Sequence, residues 1–395
     1  TSVVSRVLQI APAADGGVWV CADTVYKIED PDTLKLQAVM PGGTDNPGTV
    51  TEDHEGNIWI CAKTDGLIRG RWMPFKFVTK TEGLPGKAVK TVAEDARGNL
   101  WLAVQHGGIT RISPDRKISF GLPGDDPLLR ANPMSVYPDR FGGVWWAQDH
   151  LGYWRDGEQR TFEDITRIRG LYIDRENAVW VSSMEKGLLR HADGVFSAFN
   201  PPGRLIDNAA AFAEAPDGTL LVGTWADGIY RINPRTSEVQ KFTPTPPSNE
   251  VRALYFDREG NLWAGLRRRG LALLVGDTWW NPSAISAEVS DHVSAIVEDD
   301  TGHLWLGTAV GVIWADKSRL VASATKNTPL PPLHAIGTMG GPEATAVWSG
   351  AMPIVWKTRR NHLLFATRDG MLAIDPSHLP HNAVAPPVRI EAVRA

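Results

Sequence analysis

DREGNLWAGLRRRGLALL, residues 257–274, runs from a turn through a tryptophan-bearing apolar stretch into three consecutive arginines and a glycine. Its surroundings are copies of it. Aligned on itself, the chain repeats D-x-x-G-x-[LIV]-W-[LIV]-x-x-x-x-x-G-[LIV], read as ADGGVWV from Ala14, DHEGNIWI from Asp53, DARGNLWL from Asp95, DRFGGVWW from Asp139, DRENAVWV from Asp174, APDGTLLV from Ala215, DREGNLWA from Asp257, DTGHLWL from Asp300 and a degraded RRNHLLF from Arg359. The tryptophan position falls at Trp19, Trp59, Trp101, Trp145, Trp180, Leu221, Trp263, Trp305 and Leu364, at intervals of 40, 42, 44, 35, 41, 42, 42 and 59 residues. A period near 42 rich in Trp, Gly and β-branched residues marks a radial or stacked repeat, and excludes a doubly wound or helical fold.

Each unit reads as four short strands. In the third, KTVAED alternates as a first strand, Asp95 to Gly98 turns, NLWLAV is the second strand, and ITRIS and RKISF follow after another glycine. Asp at the first and Gly at the fourth position suit a type I turn closed by a left-handed residue, a conformation Asn177 also tolerates. The repeated aspartates are therefore read as turn formers rather than catalysts, and the tryptophans as wedge fillers between sheets. Helical periodicity is nowhere sustained.

Four-stranded units of this length close into a ring. The expected fold is all-β, a β-propeller over residues 1–380 with nine repeat units counted; the alternative is a seven-bladed ring plus two blades of a preceding propeller. The long last interval holds NTPLPPLHAIGTMGGPEATAVW, residues 327–348, read as an extended loop. Residues 381–395 are read as an exit segment toward a following domain, or a last outer strand.

Composition narrows function by exclusion. The 395 residues are 43% hydrophobic and 22% charged with a net charge of -4, so a large core is affordable and no footprint for nucleic acid is present. No apolar run reaches the roughly 20 residues of a membrane helix, and the N-terminus has no basic-then-apolar export pattern. The absence of a leading methionine reads as a mature or excised segment, with any signal or anchor outside it. Cys21 and Cys61 occupy one slot of the repeat, held elsewhere by Ala103, Ala147, Ser182, Gly223 and Gly307. That slot is expected to need a small residue in a packed strand, and the cysteines to be two buried thiols.

GNIWICAKTDGLIRG, GNLWLAVQHGGITRI, GTLLVGTWADGIYRINP and GHLWLGTAVGVIW resemble the two-component regulator propeller repeat of bacterial sensor proteins, with its G-x-L-W-[LI]-G-T-x-x-G-[LI] core. TEGLPGKAV at Thr81 is similar to the connector between such blades, and the stretch from Gly370 to the passage into the immunoglobulin-like domain that follows them. Arg267 to Arg269 depart from the usual T-x-x-D. The resemblance implies a periplasmic or extracellular sensing module, not an enzyme, that answers to carbohydrate fragments and passes the signal to immunoglobulin-like and transmembrane modules outside this chain. It brings no fixed set of ligand residues. No cofactor, metal or nucleic-acid partner is expected, and the module is compatible with a homodimer.

The loop between the second strand and the recurrent glycine should lie on one face of the disc, which would gather Lys63, His106, His150, Lys186, Trp225, Arg267, Arg268, Arg269 and Arg368. Guanidinium forks suit carboxylates or sulfates and an exposed indole can stack on a sugar, so an acidic oligosaccharide fits. Against this stands the plainer reading of three arginines as a solvated turn. His106 and His150 in equivalent slots lack a third metal ligand, but also suit the bases of a lyase, the enzyme alternative; an acidic protein docked on the arginine loop is the third.

Overall fold

The computed structural model of the chain describes residues 6–13, 16–28, 36–38, 47–54, 57–63, 66–71, 75–120, 132–282, 292–336, 346–348 and 350–379. The exit segment at 381–395 lies outside them. The chain divides into two compact units, Phe75–Pro376 and Thr1–Pro74 with Ser377–Ala395.

Among the described residues of the larger unit, seven four-stranded antiparallel sheets follow one another, here blades I to VII. Their innermost strands are Val89–Glu94, Ser135–Pro138, Ile168–Ile173, Ala209–Glu214, Val251–Phe256, Val293–Glu298 and Val355–Lys357. Each contacts the next, and the last contacts the first, so the sheets form a ring. Blade VII takes its outermost strand from the start of the unit: Phe75–Val78 pairs with Gly370–Ile374. The repeats at Trp19 and Trp59 stand outside this ring, in the smaller unit, as one four-stranded and one three-stranded sheet. Among the described residues the ring thus holds seven sheets.

Local chemistry explains the repeat. The motif aspartate caps its own turn, as when Asp257 Oδ1 accepts from the Glu259 and Asn261 N–H groups, and the fourth position takes positive φ at Gly98, Gly142, Asn177 and Asn361. Its second oxygen accepts the indole N–H six residues on: Trp59 to Asp53, Trp101 to Asp95, Trp180 to Asp174, Trp263 to Asp257 and Trp305 to Asp299, at 2.7–2.9 Å. The eighth copy thus turns on Asp299, one residue before the sequence alignment placed it, while Asp300 pairs with Arg258 and Lys357. Trp180, Trp263 and Trp305 are fully buried and fill the wedges between blades. Neighbouring blades are also pinned at these turns: the Arg175, Arg258 and Arg359 N–H groups donate to Glu214, Glu298 and Glu94 of the next blade, the last across the ring's seam.

The structure corrects three expectations. Cys21 is buried but Cys61 is exposed: Ile58, Ile60 and Ala62 face the core of the smaller unit, and Cys61 lies on the opposite face of its three-stranded sheet. A helix, Lys317–Lys326, interrupts blade VI; Asp316 caps it and Asn327 ends it at φ 52°. Fewer than three turns with only Leu320 as a buried apolar anchor left no readable period. Finally, the stretch 327–348 is not wholly loop, since His334–Ile336 is the outer strand of blade VI and Val347 pairs with Thr367.

Candidate functional site

The inner strands of blades I, III, IV, V and VI each carry one extra residue near where they begin. In blade V, Val251 opposes Leu266 and Ala253 opposes Gly265, so Arg252 has no cross-strand partner. The same bulge isolates Lys90, Arg169 and Ser294 in blades I, III and VI. A bulge re-aims the side chain it releases, and these turn toward groups of other blades near the axis. Lys90 Nζ reaches Asn132 Oδ1 at 3.0 Å and Met134 Sδ at 3.4 Å in blade II, and lies 5.9 Å from the Trp348 ring of blade VII. Arg169 and Arg252 flank the Trp225 ring of blade IV at 5.8 and 4.3 Å.

In blade VII the bulge becomes an insertion. Val347 opposes Thr367 and Ile354 receives the next ladder bond from Ala366, so the stretch between them replaces one residue. Its described residues reach four other blades. The Trp348 carbonyl accepts from Ser294 Oγ of blade VI, Gly350 lies so close to Trp225 that a Cβ would stand 2.8 Å from its ring, the Met352 carbonyl accepts from Ser135 Oγ of blade II, and that of Pro353 from Val92 of blade I at 3.1 Å. These residues of blade VII thus touch blades I, II, IV and VI, and Lys90, Arg169, Arg252, Trp225 and Trp348 gather beside them, at what is called here the mouth of the ring.

The mouth holds a surplus of positive charge. Lys90 is 3% exposed, and no carboxylate pairs with it among the described residues; burial pulls its pKa below the ordinary range. Arg169 donates to Met184 Sδ and meets no carboxylate among the described residues. Arg252, 7% exposed, has Glu250 at 3.3 Å but an unpartnered Nε, and burial lowers its pKa too, though a guanidinium stays charged. Glu250 is shared with Arg267 at 3.0 Å, whose hydrogen bond first of all holds the carboxyl below its usual range. A cleft of about 490 Å³ between blades II and III, lined by Met134, His150, Arg167, Arg169 and Met184 among others, leads to this cluster.

Apart from Lys63, the residues expected to share a face lie in or beside the turns between the second and third strands of their blades, and they differ in what they touch. Trp225 and Arg267 join the mouth. Arg268, at φ 60°, and Arg269 form the exposed tip of their turn, the solvated position of the plainer reading. His106 and Arg368 are exposed turn residues at the same end of blades I and VII. His150 begins a strand in the cleft, 3.6 Å from Glu163, and Lys186 is held by Asp164 at 2.8 Å. Lys63 lies in the smaller unit, outside the ring. Lys90, Arg169 and Arg252 were missed, although aligning the inner strands puts a charged residue in one column of an otherwise apolar pattern. Only the bulge reveals that this column faces the axis.

Residues 245–268 and 288–309 match the family model of the two component regulator propeller. No curated protein sequence matches the chain. Among solved structures, it is similar to the extracellular domain of a hybrid two component system from B. thetaiotaomicron, at 17% identity and TM-score 0.70 over 94% of this chain and 51% of that one. It is also similar to that of a one component system from the same organism, at 15% and 0.58 over 96% and 54%. The chain thus spans about half the length of these domains. Virginiamycin B lyase from Staphylococcus aureus matches at 16% and 0.55 over 76% of this chain and 98% of its own. At such identities the likeness is one of fold.

Proposed function

We propose that the chain is part of the ligand-sensing region of an extracytoplasmic two-component receptor, and that an acidic oligosaccharide binds at the mouth of its ring. The reading is supported by two matched regulator-propeller repeats and by a fold shared with extracellular domains of such systems. The observation that carries the ligand class is the set of buried cations Lys90 and Arg252, with Arg169, around Trp225 and facing, among the described residues, a single carboxylate, Glu250. A uronate or sulfate would supply the missing anion through charge-assisted hydrogen bonds, and sugar rings would lie in the adjoining cleft. Because the cations come from blades I, III and V, an anion bridging them would favour one arrangement of the ring over others. Immunoglobulin-like and transmembrane modules beyond this chain would read that change.

Thermal-shift measurements against neutral, uronic and sulfated oligosaccharides test the proposal. Acidic sugars should raise the melting temperature, and Arg169→Ala/Arg252→Ala should abolish the rise while retaining a cooperative melt. Equal shifts from neutral sugars, or an unchanged response of the double variant, would refute it.

A further inference from the structure

The wedges between blades are filled by the motif tryptophans, and two blades lack one. In blade IV, Leu221 stands in the position, and Phe242 and Trp279 pack over the same cluster in compensation, 6.4 Å apart and with the Trp279 indole bonded to the Pro244 carbonyl. In blade VII, Leu364 has no such substitute among the described residues. A cavity of about 450 Å³ remains at the seam, walled by Leu364, Met371 and Ala373 of blade VII and Leu100, Ile112 and Ile118 of blade I. Its size falls within the roughly 300–1,000 Å³ of small-molecule sites.

The rim is charged and unbalanced. Lys76, Arg97, Arg116 and Arg360 border the opening beside Glu82 and Glu94. Both acids are engaged locally, Glu82 by the Thr79 N–H and hydroxyl and Glu94 by the Arg359 N–H. Arg97, Arg116 and Arg360 have no ion-pair partner among the described residues, and all three are exposed. They come from turns at the opposite end of the blades from the mouth, so the two sites are separate.

We infer that the seam cavity binds a compact amphipathic anion, with a hydrocarbon body in the wedge vacated by the missing tryptophan and its acid group on the rim arginines. Apolar walls supply burial of the body, and the guanidinium forks select a carboxylate or sulfonate over a neutral head. The inference is independent of the sugar-binding reading of the mouth.

Calorimetric titration of the whole chain with octanoate and with octanol tests it. Octanoate should bind saturably at one site, with octanol about tenfold weaker or more. Leu364→Trp, which restores the filling used by the other blades, should abolish octanoate binding and leave the melting temperature equal or higher. Arg116→Ala/Arg360→Ala, whose changes are at the surface, should weaken it about tenfold and decides the matter if the tryptophan variant does not fold. No octanoate binding, octanol bound as tightly, or binding unchanged in the arginine variant or in a folded tryptophan variant would overturn the inference.

Discussion

A buried indole N–H needs an acceptor, and here the motif aspartate provides it while its other oxygen holds the turn. In the ring the two residues are lost together: the unit with Leu221 has Ala215 in place of the aspartate, and the unit with Leu364 has Thr358, whereas Trp19, with Ala13 six residues before it, donates to Glu52 instead. Reading the aspartates as turn formers found half of their work, because the partner six residues on is reached only when turn and strand are folded. Asp299 shows the energetics. Burial acts to raise its pKa, but hydrogen bonds from Trp305, His303 and Thr301 outweigh this and hold it below the ordinary range. A depressed folded-state value stabilises the protein above the unfolded carboxylate's pKa, about 3.9; that contribution is lost as pH falls below it toward the folded value. Asp299→Asn should therefore cost about 1–3 kcal/mol at pH 7, by leaving a buried donor unmatched, and less at pH 3. Urea denaturation at both values checks this, and an equal loss at each would contradict an ionised Asp299.

At the level of the strand, the small-residue slot and the inner bulge are two sides of one constraint. A Cβ on Gly265 would lie 2.5 Å from the Val293 carbonyl oxygen of the next inner strand and 2.9 Å from Ala253 Cβ, and one on Gly307 would meet Ala295 and Val347 at 2.9 Å. Second strands approach the following blade most closely here, so the alignment of Ala, Ser and Gly was legible as a steric rule. Gly265→Val should cost about 1–3 kcal/mol by overpacking, measured as a lower denaturation midpoint with an unchanged slope; a neutral result would mean the blades can part at little cost. The neighbouring bulge was not legible. One residue more in a strand leaves the apolar count intact and alters only direction, so Lys90, Arg169 and Arg252 read as ordinary polar positions of a strand.

For the ring as a whole, closure depends on a strand taken from its own beginning. Phe75–Val78 completes blade VII beside Gly370–Ile374, joining the two ends of the unit. A chain of residues 75–376 should melt cooperatively, whereas one starting at Thr79 should melt roughly 5–10 °C lower, having lost two partly buried phenylalanines and a strand ladder. Calorimetry distinguishes them, and identical melts would mean that blade VII is stable without its fourth strand. The sequence by itself determined the repeat, the strand-turn-strand core of its units, and the small slot, because these depend on neighbours within about forty residues and recur often enough to be compared. Tertiary structure alone decided how many units share a ring, which strand closes it, which blades the insertion in blade VII reaches and where cations gather. Those outcomes rest on contacts between residues as distant as Phe77 and Leu372 or Val92 and Pro353, and no local pattern encodes which distant edge a strand will meet.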